Sequence, residues 1–363
     1  MKFDIDDDEE KSKGKDSNPQ MIYIILAGFL VVAALILIIT YMVLKGGNTQ
    51  KQTPQVPVKT QSPTPAEVKK LTVFDEESNE RPIAVMIDNA IGDAKHAGLQ
   101  DSYLNYEIIV EGGITRIMAI YKDKDVNLIG PIRSSRHYFL DYALESDAIY
   151  VHYGWSPYAE DDITKLSIDN INGLTDSSPF RRDTNSIAPH NVFTRMSYLK
   201  TFLQTSSYSQ ESSDWRLFDY SADEIDLSNT NYTPQVADKI QIPYSKDEYR
   251  TYAYDSSHSY YLRSSNGKAQ YDRKSGDQLH YKNIIIEKVP NKTMDPEGRQ
   301  QLETVGKGTG YYITDGYSLP IQWSKTTREG KTIYTYEDGT EITLNDGNTF
   351  VQIVPTDCEI TIS

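Results

Sequence analysis

A single cysteine, Cys358, occurs in 363 residues, so no intramolecular disulfide can form. Secreted eukaryotic domains and Gram-negative periplasmic domains often carry disulfides, and this lack points towards a Gram-positive envelope. Basic charge is also scarce: 52 acidic side chains face 37 basic ones, for a formal net charge of -15. A chain of that sign repels polyanions, which excludes a broad nucleic-acid surface, and any anion it binds has to be held locally. Histidine and carboxylate spacings for a zinc site are missing, as are a Gly-x-Ser-x-Gly elbow and a P-loop, so no metal or cofactor is expected. There is no internal repeat.

Long apolar runs are absent but for one. Residues 21–44, "MIYIILAGFLVVAALILIITYMVL", carry no charge and match the roughly 20 apolar residues that cross a bilayer. The run is too long for a signal-peptide core, and no small-residue cleavage site follows it. A single-pass membrane anchor is the expectation. Lys2, Lys11, Lys13 and Lys15 precede it, and Lys45 and Lys51 follow closely. That small lysine excess places residues 1–20 in the cytoplasm as a charged tail and everything after Leu44 outside the cell membrane. Residues 45–70, rich in Pro, Thr and Gln, read as a disordered stalk.

Beyond the stalk the text divides. Residues 71–215 alternate strand-like and helix-like patterns, residues 216–240 form a polar connection, and residues 241–363 are short strands and turns. The fold class expected is therefore α+β: a mixed α/β N-terminal domain, then a mostly antiparallel β C-terminal domain. In the latter, "SNGK" from Ser265, "EDGT" from Glu337 and "NDGN" from Asn345 carry the Asn-Gly and Asp-Gly pairs of tight turns. Its tyrosine-rich strands, as in "YRTYAYDSSHSYYLR", fit either sugar stacking or ordinary packing.

The N-terminal part holds the candidate site. "RPIAVMID" is a buried-strand run ending at Asp88, where sites of α/β layers tend to lie, though Asp88 serves equally as a cap. "YEIIVEGGITRIMAIY" reads as a hairpin about Gly112-Gly113. A two-residue turn sets Ile109 opposite Arg116 and puts Glu107, Glu111 and Arg116 on one face. "GPIRSSRHYFLDYALE" predicts a helix from Ser135 to Glu145, capped by Ser134 or Ser135, with Arg133, Arg136 and His137 at its N-terminal end. Cations oppose the helix dipole there, so either a ligand anion or an internal carboxylate, Glu107, Glu111 or Asp141, must offset them. His152, His190 and Asn191 follow as further candidates.

"RPIAVMIDN", "EGGITRIMAIY", "IGPIRSSRHYFLDYALESDAIYVH", "APHN", "VGKGTGYYITDG" and "TFVQIVP" together resemble the YerB-like family of bacterial lipoprotein candidates. The likeness covers nearly everything after the stalk, in the family's two-part arrangement. It implies a surface-anchored bacterial protein of mixed α and β structure and no defined chemistry. No cysteine directly follows the apolar run, so a spanning helix is expected to replace the family's lipid anchor.

Three functions stay open on these residues. One is a binding module for an anionic cell-wall or lipid-linked saccharide, clamped by Arg133, Arg136, His137, Arg116, His152, His190, Asn191 and Asp88. Another is an envelope enzyme on the same material with Glu111 or Glu107 as acid or base. The third is an assembly partner with no small ligand.

Overall fold

The computed structural model describes residues 32–42, 69–90 and 96–363. The chain forms two compact units, residues 1–66 and 67–363. In the first, residues 32–42 are helical (α1), with large apolar side chains such as Leu37 and Met42 exposed. Among the described residues no helix is long and apolar enough to cross a membrane. The remainder of the expected 21–44 span, the tail over 1–20 and nearly all of the 45–70 stalk lie outside the described residues.

The second unit is organised by an eleven-stranded sheet. Strands β1 (Ile83–Asp88), β2 (Leu104–Ile109), β3 (Thr115–Tyr121), β4 (Ile149–His152) and β5 (Asn170–Asn172) come from the N-terminal segment. β3 runs antiparallel to both β1 and β2, while β4 lies parallel to β1, and β5 to β4. The sheet then continues directly into the C-terminal segment, because β2 pairs in parallel with Thr349–Pro355. That strand is followed by Asn283–Val289, Gly306–Thr314, Tyr317–Lys325 and Ile333–Thr335. Strands from both sides of the 216–240 connection therefore share one sheet. Mixed α and β structure with few helices and an antiparallel-rich C-terminal region is what the sequence led us to expect.

Both faces of the sheet are covered, which is why its strands read as continuous apolar runs. Along β1, Ala84 and Met86 join one core; Ile83, Val85 and Ile87 join the other. The first core includes Tyr138, Phe139, Tyr142 and Ala143 of α2 (His137–Glu145). The second takes Met196, Leu199 and Leu203 of α4 (Met196–Leu203) and residues of a six-stranded sheet centred on Lys239–Pro243, Tyr249–Asp255 and Tyr260–Ser265. Between these helices α3 (Pro157–Lys165) starts conventionally: Ser156 accepts the Ala159 N–H and Pro157 occupies the first turn.

The Asn-Gly turn forms as expected: Asn266 and Gly267 take positive φ (49° and 76°), and Ser265 pairs with Lys268. The glycine hairpin does not. Residues Glu111–Gly113 make a three-residue turn closed by Val110 N–H donating to Ile114 O at 2.8 Å, with φ of 71° and 73° at the two glycines. One extra loop residue shifts the register, so Arg116 opposes Ile108 and Glu107 opposes Ile117. Glu107 and Arg116 consequently lie on opposite faces of the sheet, and the expected convergence of Glu107, Glu111 and Arg116 is reduced to the last two. α2 also begins later than expected, at His137 with Arg136 in the cap position. The two serines are engaged elsewhere: Ser134 Oγ donates to Tyr153 O, and Ser135 Oγ accepts from the Tyr150 hydroxyl, both at 3.0 Å.

Candidate functional site

The C-terminal end of β1, the segment from Ile132 to Arg136 and the loop before α4 bring most of the candidate residues together. Asp88 is buried, its Oδ1 accepting the Ala90 N–H at 3.0 Å and its Oδ2 accepting from His190 Nδ1 at 2.5 Å. The capping role is thus filled by Oδ1, and Oδ2 is left to His190 and Arg133. Arg133 Nε lies 3.2 Å from the same Oδ2 but off the hydrogen-bond direction, so the contact is ionic and that N–H has no hydrogen-bond acceptor. Arg136 grips Glu111 with both prongs of its guanidinium, at 2.5 and 2.7 Å. Burial pushes the Glu111 carboxyl up, but the hydrogen bonds and charge of Arg136 more than reverse this and hold it below the ordinary glutamate value.

Arg116 is the exception. Only 6 % exposed, it donates from Nη1 to Ser134 O at 2.6 Å, and no carboxylate among the described residues lies within ion-pair distance. Burial, then the neighbouring charges of Arg136 and Arg133, bring its pKa down to about 10 against the opposing pull of Glu111. A guanidinium rarely loses its proton even so. Its charge is therefore present and undercompensated.

Beside these groups opens a pocket of about 530 Å³. Arg133, Ser134, Tyr153 and Arg182 contribute polar lining, while Ile132, Trp155, Leu174 and Val192 contribute apolar lining. Arg182 is fixed by Asn191 Oδ1 at 2.8 Å and by the Tyr153 hydroxyl at 3.2 Å, and its guanidinium lies over the Tyr153 ring. Asn191 thus acts through Arg182. Trp155 and Leu174 were missed; neither type has a chemical signature that a sequence displays. A second pocket of about 360 Å³ contains Arg81 and Lys200, but both are matched, by Asp169 at 2.5 Å and Glu80 at 2.6 Å.

Three expected site residues lie apart. His152 is fully buried with Nδ1 against Gly154 O (2.8 Å) and Nε2 against Asn170 Oδ1 (3.1 Å), and burial lowers its pKa to about 4, so it orders the loop after β4 without lining the pocket. Glu107 sits in a closed network on the other face. It receives Arg250 Nε and Arg263 Nη2 at 2.6 Å each, Thr115 at 2.7 Å, Asn89 at 2.8 Å and Gln352 at 3.1 Å. Burial raises the Glu107 pKa, and the two arginines outweigh it to give about 2. Neither position nor pKa suits it to acid–base work on a ligand. His137 packs its ring on Tyr138 and Tyr158, and burial lowers its pKa. Tyr252 and Tyr261, from the tyrosine-rich strands, are buried in the core and unavailable for stacking on a sugar.

Comparison with known families matches residues 71–209 to the N-terminal domain and residues 240–351 to the C-terminal domain of a protein of unknown function, DUF3048. The chain belongs to the DUF3048 family. A relative is the provisionally named lipoprotein YerB of Bacillus subtilis (strain 168), 29 % identical over 279 residues that make up 76 % of this chain and 81 % of YerB. A crystal structure of the YerB protein from Bacillus subtilis matches with a TM-score of 0.68 and 28 % identity, covering 78 % of this chain and 94 % of that one. The DUF3048 match on the N-terminal side contains every residue of the arginine pocket.

Proposed function

We propose that this DUF3048 protein works in the bacterial envelope, tethered by residues 21–44, and binds the phosphate or carboxylate of an anionic cell-wall or lipid-linked saccharide in the Arg133–Arg182 pocket. The observation that supports this is Arg116: a buried cation without a carboxylate, next to Arg133 and Arg136, is a standing cost that an arriving anion offsets. Arg133 and Arg182 would contact the anion, and Arg116 would raise the local potential. Glu111 is held by Arg136 and serves as a counterion, which argues against it as a general acid.

The test is thermal unfolding with and without phosphate. Phosphate should raise the melting temperature of the wild type and leave Arg133→Gln and Arg116→Met unaffected. No shift in the wild type would remove the reading. Location is tested separately: protease added to intact, wall-stripped cells should digest the folded part, and full protection would reverse the topology.

A further inference from the structure

The pocket is far from purely polar, and its surroundings are less polar still. Within the folded unit few large apolar side chains are strongly exposed, and two of them border this pocket: Leu174 at 64 % and Ile187 at 85 %. Leu174 is part of the lining; the Ile187 carbonyl accepts the His190 N–H at 2.9 Å, next to the lining residue Pro189. Scattered exposed apolar residues need no explanation, but a pair of them at the mouth of a charged pocket marks a contact surface. The volume of about 530 Å³ also exceeds what a bare phosphate requires and falls in the range of pockets for organic ligands.

We propose that the ligand is an amphiphile, a phosphate ester that joins a long apolar alcohol to the saccharide, whose head enters between Arg133 and Arg182 and whose chain leaves over Leu174 and Ile187. This rests on the anion-binding reading and chooses, between its two saccharide sources, the lipid-linked one. A single headgroup fits better than a whole anionic bilayer surface, because the chain's net charge of -15 opposes the latter at any distance the salt does not screen. The exposed carboxylate of Glu160 at the same pocket repels a headgroup too, and Arg182 and Arg133 outnumber it there.

The experiment uses the full chain in neutral phosphatidylcholine nanodiscs, with calorimetric titration of methyl, butyl and hexyl phosphate and of hexanol, against empty discs. Affinity should rise roughly three- to fourfold for each methylene the rim buries. Hexanol should not bind measurably. Ile187→Ser should flatten the rise from butyl to hexyl while leaving methyl phosphate unchanged. Equal affinity for methyl and hexyl phosphate would overturn the amphiphile and leave the anion pocket standing, whereas binding of none of the phosphates would remove both. A chain-length rise untouched by the rim substitution would also overturn the proposal, since the chain would then lie elsewhere.

Discussion

Two arginine centres flank one sheet and differ in how their charge is balanced. On one face Glu107 meets Arg250 and Arg263 with all three side chains fully buried, and Thr115, Asn89 and Gln352 complete the carboxylate's bonds. On the other, Asp88 and Glu111 each hold one arginine, and Arg116 keeps only a backbone carbonyl. The first centre joins β2 to strands more than a hundred residues away, and Glu248 gives Arg250 a second carboxylate at 2.5 Å; the second adjoins a pocket. A cluster with a carboxylate for each arginine fixes a fold, whereas one with a cation left over has capacity for something that is not part of the chain.

The sharpest way to break this contrast is Glu107→Gln. It leaves the buried Arg263 without a carboxylate, while Arg250 keeps Glu248 at 2.5 Å, and should cost about 3–5 kcal/mol in urea unfolding; a loss below 1 kcal/mol would show that the centre is no staple. pH separates a second buried carboxylate from the first. Burial pushes Glu287 up to about 8, the Tyr334 bond opposing and the Glu145 charge assisting. The folded chain therefore keeps a proton that the unfolded chain releases above about 4.5. Stability should fall by up to about 1.4 kcal/mol per pH unit between those values, and Glu287→Gln should remove most of that slope. Glu107 works in the opposite sense, its contribution being lost only as pH drops from 4.5 towards 2. Within the pocket cluster, Arg136→Gln leaves the half-buried Glu111 without its partner and should cost about 1–3 kcal/mol. Arg116→Met is the smallest effect and the most telling: melting unchanged or raised, with the response to phosphate gone. A large destabilisation by Arg116→Met would make the two centres alike.

What the sequence revealed follows from the range of each interaction. β1 and α2 were readable because "IAVMID" and the Phe139, Tyr142, Ala143 spacing are local. Arg133, Arg136, Glu111, Asp88 and His190 stood out singly, as charges at a helix start, a turn, a strand end and a loop; their pairing, Arg136 with Glu111 and Arg133 and His190 with Asp88, is seen in the structure. Register was not readable, since a loop of three residues in place of two leaves no trace in composition yet moves Glu107 to the other face. Nor could Glu107 be matched to Arg250 and Arg263, which are 143 and 156 positions distant. Such partners carry no periodic signal, and Gln352 sits in an apolar run that gives no hint of its polar task.

The strand Thr349–Pro355 lies between β2 and Asn283–Val289, in the interior of the large sheet, and Gln352 reaches Glu107 across 245 positions. During synthesis, then, the first five strands wait with an open edge until the strand that carries Gln352, 245 positions beyond Glu107, has left the ribosome. A chain halted before Thr349 would present two unpaired strand edges and a Glu107 without its Gln352 partner, a form suited to quality-control proteases and unable to mature on its own.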